Sequence, residues 1–224
     1  MNISIILDKL NKELSTYNCT LVAVSKTKPS DVILEAYNAG QREFGENKVQ
    51  ELAKKSEMLP KDIKWHMIGH LQSNKVKYIA PFVHLIHAVD SPKLLNTINK
   101  EAAKNERVIN CLLQVHIADE ESKYGMTESE IEDLIESAEF LQLKNIKVVG
   151  LMGMATNTFD ESKVSSEFQQ LNKFLKKLQK THEGDNLDLK ELSTGMSGDY
   201  QLALKEGSTM VRIGSTIFGA RNYP

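Results

Sequence analysis

The sequence has few of the features that would place a chain on nucleic acid, in a membrane or outside the cell. Its net charge is -2, from 28 lysines and arginines against 30 aspartates and glutamates, which gives no electrostatic support for binding nucleic acid or a membrane surface. No apolar run approaches the roughly 18 residues that a membrane-spanning helix needs. Asp8 and Lys9 come too early for a secretory signal, and the first segment is typical of an amphipathic helix. We therefore expect a cytoplasmic protein.

Cysteine is also scarce. The two cysteines, Cys19 and Cys111, lie far apart and fit neither a metal-binding nor a redox spacing. Cys111 lies in an apolar run, as a small core residue would. Repeats, low-complexity segments and heptads are absent, and the linker-like residues 180–190 are too few to separate two domains. With 41% hydrophobic residues available for a core, we expect one domain over residues 1–224.

Eight short apolar runs alternate with segments that have helical spacing. We predict strands at residues 20–25, 41–45, 64–69, 84–89, 109–117, 146–154, 189–195 and 209–214. The predicted helices span residues 30–39, 46–58, 73–80, 91–105, 127–141, 160–181 and 197–206. This alternation favours a parallel sheet in an α/β protein. Eight such units in 224 residues predict a (β/α)8 barrel, the TIM barrel fold, and an open doubly wound sheet is the alternative.

Polar residues and glycines collect where the predicted strands end, which is where a barrel of this kind carries its function. Gly214, Ser215 and Thr216 follow the last strand, and Ser197 follows the seventh. Backbone amides and hydroxyls at such positions can hold a phosphate group. An ordinary helix cap at Ser197 and an ordinary turn at Gly214 would explain the same residues. No nucleotide-binding glycine motif is present.

Lys26 follows Val22 and Val24 on one face of the first predicted strand. If Lys26 is buried there, desolvation lowers its pKa, and the neutral amine can form a Schiff base with a carbonyl group. Together with a phosphate site, this lysine indicates either an aldolase-like enzyme acting on a sugar phosphate or a site for pyridoxal 5'-phosphate (PLP).

Arg212 favours the PLP site. It lies two residues before Gly214 and shares that residue's face of the strand. A guanidinium group stays protonated and would keep a facing pyridine nitrogen unprotonated. The alternative role for Arg212 is a salt bridge at the rim of the barrel.

Five segments carry a resemblance to a known family. They are AVSKTKP (23–29), FGENKVQE (44–51), WHMIGHLQSNKVKYI (65–79), GLMGMA (150–155) and LSTGMSGDYQLALKEGSTMVRIGSTIFGAR (192–221). In this order they resemble the pyridoxal phosphate homeostasis protein family, whose fold is similar to the N-terminal barrel domain of alanine racemase. The resemblance implies a Schiff-base lysine, an arginine facing the pyridine nitrogen, three phosphate-binding residues and a neighbouring asparagine, which are Lys26, Arg212, Ser197 with Gly214 and Ser215, and Asn47.

The chain departs from the pattern common in that family at two positions. Thr194 stands where many relatives have methionine, and Ser215 stands where many have threonine. The hydroxyl group at position 215 is kept, so the resemblance still implies a phosphate site. Thr194 raises a question of local packing only.

The resemblance also implies a function in PLP homeostasis, which supports vitamin B6 and amino-acid homeostasis. In the related racemase a tyrosine from an added domain supplies the second base, and a chain that ends at Pro224 has no room for that domain. We therefore expect a non-catalytic monomer that stores PLP or delivers it to apo-enzymes. A small racemase or decarboxylase, or a Schiff-base aldolase, is the alternative.

Other residues are weaker candidates. His66 and His70 are four apart, but no third ligand is evident, so no metal site is predicted. Lys28 and Lys75 are the next candidates for the Schiff base. Three methionines could pack on the cofactor ring, although methionine more often fills gaps in a core; they are Met152, Met154 and Met196.

Overall fold

Eight parallel strands close into a barrel in the order in which they occur along the chain. The computed structural model describes residues 2–119 and 124–219. The strands are β1 Thr20–Val24, β2 Glu43–Glu46, β3 Lys64–Met67, β4 Leu85–Val89, β5 Ile109–Gln114, β6 Ile146–Met152, β7 Leu187–Met196 and β8 Met210–Ile213. Strand β8 pairs with β1 and completes the closure. The predicted TIM barrel is confirmed, and the open-sheet alternative is wrong.

Helices lie between the strands and around the barrel. They are α1 Ile3–Ser15, α2 Ser30–Asn38, α3 Val49–Met58, α4 Pro92–Lys104, α5 Glu128–Glu136, α6 Ala138–Leu141, α7 Glu161–Thr181, α8 Tyr200–Lys205 and α9 Ser215–Phe218, with a 3₁₀ helix at Ser73–Tyr78. The helix predicted at 127–141 is interrupted because Ser137 has an extended backbone and caps α6 with its side chain. Among the described residues, no helix combines the length and apolar character that crossing a bilayer requires.

The sheet separates two apolar layers. Leu21 and Ala23 of β1 pack in the layer between the strands and the helices. Val22, between them, packs in the barrel interior with residues from other strands, such as Leu112 and Met210. This is the alternation predicted for β1. Cys111 is fully buried in the outer layer, as expected.

The candidate site residues lie at or beyond the carboxyl ends of the strands. Most strands are shorter than predicted, and among them β5 ends at Gln114 and β6 at Met152. Strand β1 ends at Val24, so Lys26 lies in the turn that follows rather than in the strand, and it is half-buried rather than buried. All strands of a parallel barrel end on the same side, which brings the loops after β1, β2, β6, β7 and β8 together there.

Candidate functional site

A cavity of about 270 Å³ opens at the carboxyl ends of the strands, and we call it the rim cavity. It is lined by Val24, Lys26, Lys28, Asn47, Ile68, Met154, Met196, Ser197, Gly198, Arg212, Gly214, Ser215 and Gly219. All six site residues expected from the sequence are among them. These six residues are separated by up to 189 positions in the chain (26 to 215), and closure of the barrel brings them together.

Lys26 lies in a turn that two backbone hydrogen bonds define. The amide of Ser25 donates to the carbonyl of Gly45, and the amide of Lys28 donates to the carbonyl of Ser25, each at 3.0 Å. Thr27 has a φ of 65°, which is strained for a β-branched residue. Its amide donates to Oε1 of Glu51 at 2.7 Å. The turn that presents Lys26 is therefore held from α3.

A buried ionic cluster reinforces this turn. Lys55 Nζ donates to the carbonyl of Ser25 at 2.9 Å and to Oε1 of Glu46 and of Glu51, both at 2.7 Å. Ser25 Oγ also donates to Glu46 Oε1 at 2.6 Å. Burial raises the pKa of Glu46, while the bonds from Lys55 and Ser25 act in the opposite direction. We call Ser25, Glu46, Glu51 and Lys55 the turn-support cluster, and sequence reasoning missed all four residues.

Arg212 belongs to β8, and its buried side chain reaches Ser193 of β7 and Gly153, the residue after β6. Nη1 donates to the carbonyl and to Oγ of Ser193 at 2.7 and 2.6 Å, and Nη2 donates to the carbonyl of Gly153 at 3.1 Å. No described residue accepts a hydrogen bond from Nε, and none forms a salt bridge with this guanidinium group. The salt-bridge alternative for Arg212 therefore has no support in the described part of the chain. Burial lowers the pKa of Arg212 to about 10, so its charge persists at neutral pH.

A chain of hydrogen bonds runs from Arg212 through the barrel to the amino ends of the strands. Ser193 Oγ lies 3.0 Å from His87 Nδ1, His87 Nε2 lies 2.8 Å from His66 Nδ1, and His66 Nε2 lies 2.6 Å from Glu43 Oε2. Burial holds the pKa of His87 well below its usual range, and the nearby His66 and Arg212 act in the same direction. We call this series the interior chain. Through Ser193, the interior chain helps to orient the guanidinium group of Arg212 from the side opposite the rim cavity.

The residues expected to hold a phosphate group lie side by side. Ser197 Oγ accepts a hydrogen bond from the amide of Gly214 at 3.2 Å, which joins the loops after β7 and β8. A Cβ atom at Gly214 would lie 3.1 Å from the carbonyl oxygen of Val24, so the loop packs closely on β1. A Cβ atom at Gly198 would contact nothing within 4 Å, and Ser215 is exposed. The subsite therefore offers hydroxyl groups and accessible backbone.

Asn47 lies in the wall after β2, and a glycine on the next loop sets its position. A Cβ atom at Gly69 would lie 2.5 Å from the backbone carbonyl oxygen of Asn47. Real side chains do not tolerate this distance, so only glycine lets the loops after β2 and β3 pack in this way. Sequence reasoning did not single out Gly69.

Of the other lysines and methionines considered from the sequence, some line the rim cavity and others lie elsewhere. Lys28 lines the cavity and donates through Nζ to the carbonyl of Phe218 at 2.7 Å, whereas Lys75 lies in the 3₁₀ helix away from it. Met154 and Met196 line the cavity, but Met152 is buried inside the barrel.

Thr194, which departs from the family pattern, is fully buried. Its Oγ1 atom has no hydrogen-bond partner within the described residues. The question of local packing that the sequence raised at this position is therefore real, and it concerns an unsatisfied hydroxyl group.

The barrel and its rim cavity define a class of protein. The family model for the N-terminal domain of alanine racemase matches residues 3–222. An alanine racemase from Bartonella henselae superposes with a TM-score of 0.74 at 17% identity, over 98% of this chain and 58% of the racemase chain. At that identity the likeness shows the shared barrel fold alone.

More similar proteins narrow the class. The pyridoxal phosphate homeostasis protein of Aquifex aeolicus is 42% identical over 208 residues, which cover 92% of this chain and 89% of that protein. PipY of Synechococcus elongatus, solved with PLP bound, is 36% identical and superposes with a TM-score of 0.86 over 97% of this chain and 100% of PipY. This chain belongs to the pyridoxal phosphate homeostasis protein family.

Proposed function

We propose that this chain binds PLP in the rim cavity, joined to Lys26 as a Schiff base, and thereby takes part in vitamin B6 homeostasis and, indirectly, in amino-acid homeostasis. The observation that carries the proposal is the convergence of six residues, expected from the sequence alone, on one cavity. The name of the Aquifex relative and the bound cofactor of PipY add support.

The residues of the rim cavity fit this cofactor. Lys26 offers the amine, and Arg212 has a donor, Nε, that no described residue uses, for the pyridine nitrogen. The neighbouring hydroxyl groups of Ser197 and Ser215 and the backbone at Gly214 suit a phosphate group, and Asn47 would lie beside the ring. When bound, PLP supplies an aldehyde that can pass from one amine to another.

We further propose that the chain carries the cofactor rather than using it for catalysis. The described residues that line the cavity include no carboxylate, imidazole or phenol group that could serve as a general acid or base. A guanidinium group at the pyridine nitrogen also makes the ring a weaker electron sink than a carboxylate would.

The accessibility of the rim cavity supports delivery to other proteins. Met196 is 41% exposed at its edge, and Ser215 is exposed as well. An amine of an acceptor could therefore approach the cofactor from solvent. We propose that the chain acts as a monomer in the cytoplasm and that apo-enzymes needing PLP are its recipients.

Borohydride reduction tests the attachment site, because it makes a Schiff base permanent. We expect the pyridoxyl mass on the peptide that contains Lys26, and loss of both this mass and the visible absorbance in Lys26→Ala. The control Lys75→Ala, outside the cavity, retains both. An adduct on Lys28 instead, or full absorbance in Lys26→Ala, would contradict the assignment.

Exchange of the α-proton tests the carrier role. Amino acids incubated with the PLP-loaded protein in deuterated water should racemise, exchange or transaminate no faster than with free PLP at the same concentration. Turnover well above free PLP that Lys26→Ala abolishes would instead establish the racemase alternative.

A further inference from the structure

Three side chains meet at the amino ends of neighbouring strands, on the side of the barrel opposite the rim cavity. Glu43 is the first residue of β2, His66 is the third of β3, and His84 directly precedes β4. One ligand atom from each lies within 4.8 Å of the others. We propose that Glu43, His66 and His84 bind a divalent transition-metal ion, with zinc the best match. This site does not depend on the proposed function of the rim cavity.

The donor set is the first argument. Two imidazole nitrogens and one carboxylate oxygen are the protein ligands of zinc sites that keep a fourth position for water. Ligands about 2.0–2.2 Å from a tetrahedral zinc ion lie roughly 3.3–3.5 Å apart. The half-buried ring of His84 makes no side-chain hydrogen bond to a described residue, so a small rotation can bring it to this separation.

The interior chain supplies the support that metal-binding histidines have behind them. With Nε2 of His66 on the metal, its proton lies on Nδ1 and is donated to Nε2 of His87, 2.8 Å away. His87 then donates from Nδ1 to Ser193 Oγ, which also accepts from Arg212.

The ion would replace the hydrogen bond between His66 Nε2 and Glu43 Oε2, so these two atoms would have to move apart from their present 2.6 Å. Lys64 Nζ bonds to Oε1 of Glu43 at 2.8 Å, so Oε2, which faces His66, is the atom that would bind the metal. Lys64 is half-exposed and can move outward to reduce repulsion. A cavity of about 270 Å³ has His84, Asn110 and Asp188 in its wall, and water in it would be the source of the fourth ligand.

Calorimetric titration of the tag-free protein with Zn²⁺ tests the proposal, and Co²⁺ provides a visible spectrum of the same site. We expect one equivalent bound, with affinity lowered on the order of 100-fold in His84→Ala and in Glu43→Gln, since each removes a ligand. His182→Ala, which removes a histidine that bonds to Glu136 elsewhere, should bind as the unaltered protein does.

Two further arms make the result decisive. PLP itself binds metals, so Lys26→Ala, which cannot hold the cofactor, should show the same Zn²⁺ affinity. Circular dichroism should show that His84→Ala remains folded, because His84 is not part of the interior chain. The proposal is overturned if no equimolar binding occurs, if folded His84→Ala binds Zn²⁺ as tightly as the unaltered protein, or if Lys26→Ala abolishes binding.

Discussion

Arg212 keeps a positive charge inside the barrel although, within the described part of the chain, its hydrogen bonds go to neutral oxygen atoms of Ser193 and Gly153. A carboxylate at this position would stabilise the protonated pyridine nitrogen of PLP, whereas a guanidinium group would favour the unprotonated nitrogen. In the proposed complex, Arg212 would bind the cofactor with a fixed charge but activate it only weakly. At the level of single residues, this is the feature that best suits the proposed carrier role.

Thr194 offers a test of stability at the same scale. Its buried hydroxyl group lacks a partner among the described residues, and an unsatisfied buried group costs about 1–3 kcal/mol. We expect Thr194→Val, which has nearly the same shape, to raise the free energy of unfolding by roughly 1 kcal/mol. Urea denaturation measures the change.

The matched control is Thr209→Val. The hydroxyl group of Thr209 donates to Glu191 and accepts from the amide of Leu192, so the same substitution should lower stability by about 1 kcal/mol. Equal shifts in both variants would show that the unsatisfied group at position 194 has no energetic effect.

Among the helices, α3 supports the turn that carries Lys26, and no local sequence pattern predicts this role. It places Glu51 and Lys55 one turn apart, and both contact the turn that carries Lys26. A lysine and a glutamate at this spacing are also common on exposed helix faces, so the sequence could not show that Lys55 is buried. The turn-support cluster depends on β2 and α3 packing together.

The substitution Lys55→Met tests this cluster. It would leave Glu46 buried without its cation, and breaking a buried pair in this way costs about 3–5 kcal/mol. We expect the free energy of unfolding to fall by that amount in urea denaturation. Adding Glu46→Gln to Lys55→Met should recover part of the loss, because the buried charge is then removed. If the double variant is less stable than Lys55→Met, the assignment of the cost to Glu46 is wrong.

The close contact of Gly69 with the backbone of Asn47, between the loops after β3 and β2, gives another prediction at this scale. Gly69→Ala would push the backbone of Asn47 out of place, since the new Cβ atom would lie 2.5 Å from its carbonyl oxygen. We expect a loss of about 1–3 kcal/mol of stability and weaker PLP binding, measured by absorbance titration. Gly184→Ala, where the nearest atom lies 3.3 Å from the Cβ position, should leave PLP affinity unchanged.

For the whole molecule, the barrel could be predicted because its signals are local and repeated. Apolar runs alternate with helical spacing eight times, and glycines and polar residues follow the strands. The six site residues expected in the rim cavity follow from the same pattern and from the family motifs. The interior chain could not be predicted, since Glu43, His66, His87 and Ser193 come from four strands and meet only across the closed barrel. The sequence suggested His66 and His70 as a possible pair of metal ligands because they are four residues apart. In the structure, His70 instead forms a hydrogen bond with Asp90.

Ligand binding should stabilise the whole barrel. A ligand that binds only the folded state at a free concentration of 100 times its Kd adds about 2.7 kcal/mol. For a chain of this size, that amount raises the Tm by roughly 5–10 °C. We expect this shift with PLP in differential scanning calorimetry and its loss in Lys26→Ala. A shift of the same size in Lys26→Ala would mean that binding does not require this lysine.

Closure of the barrel by β1 and β8 has a consequence for synthesis of the protein. Thr20 pairs with Met210 and Ala23 with Ile213, so the proposed Schiff-base lysine and the proposed phosphate subsite follow strands that are far apart in the sequence. A nascent chain on the ribosome exposes Lys26 early, but it cannot assemble the proposed phosphate subsite until β8 has been synthesised and inserted beside β1. If Lys26 holds the vitamin as proposed, a yellow molecule is therefore one whose strand β8 is already in place.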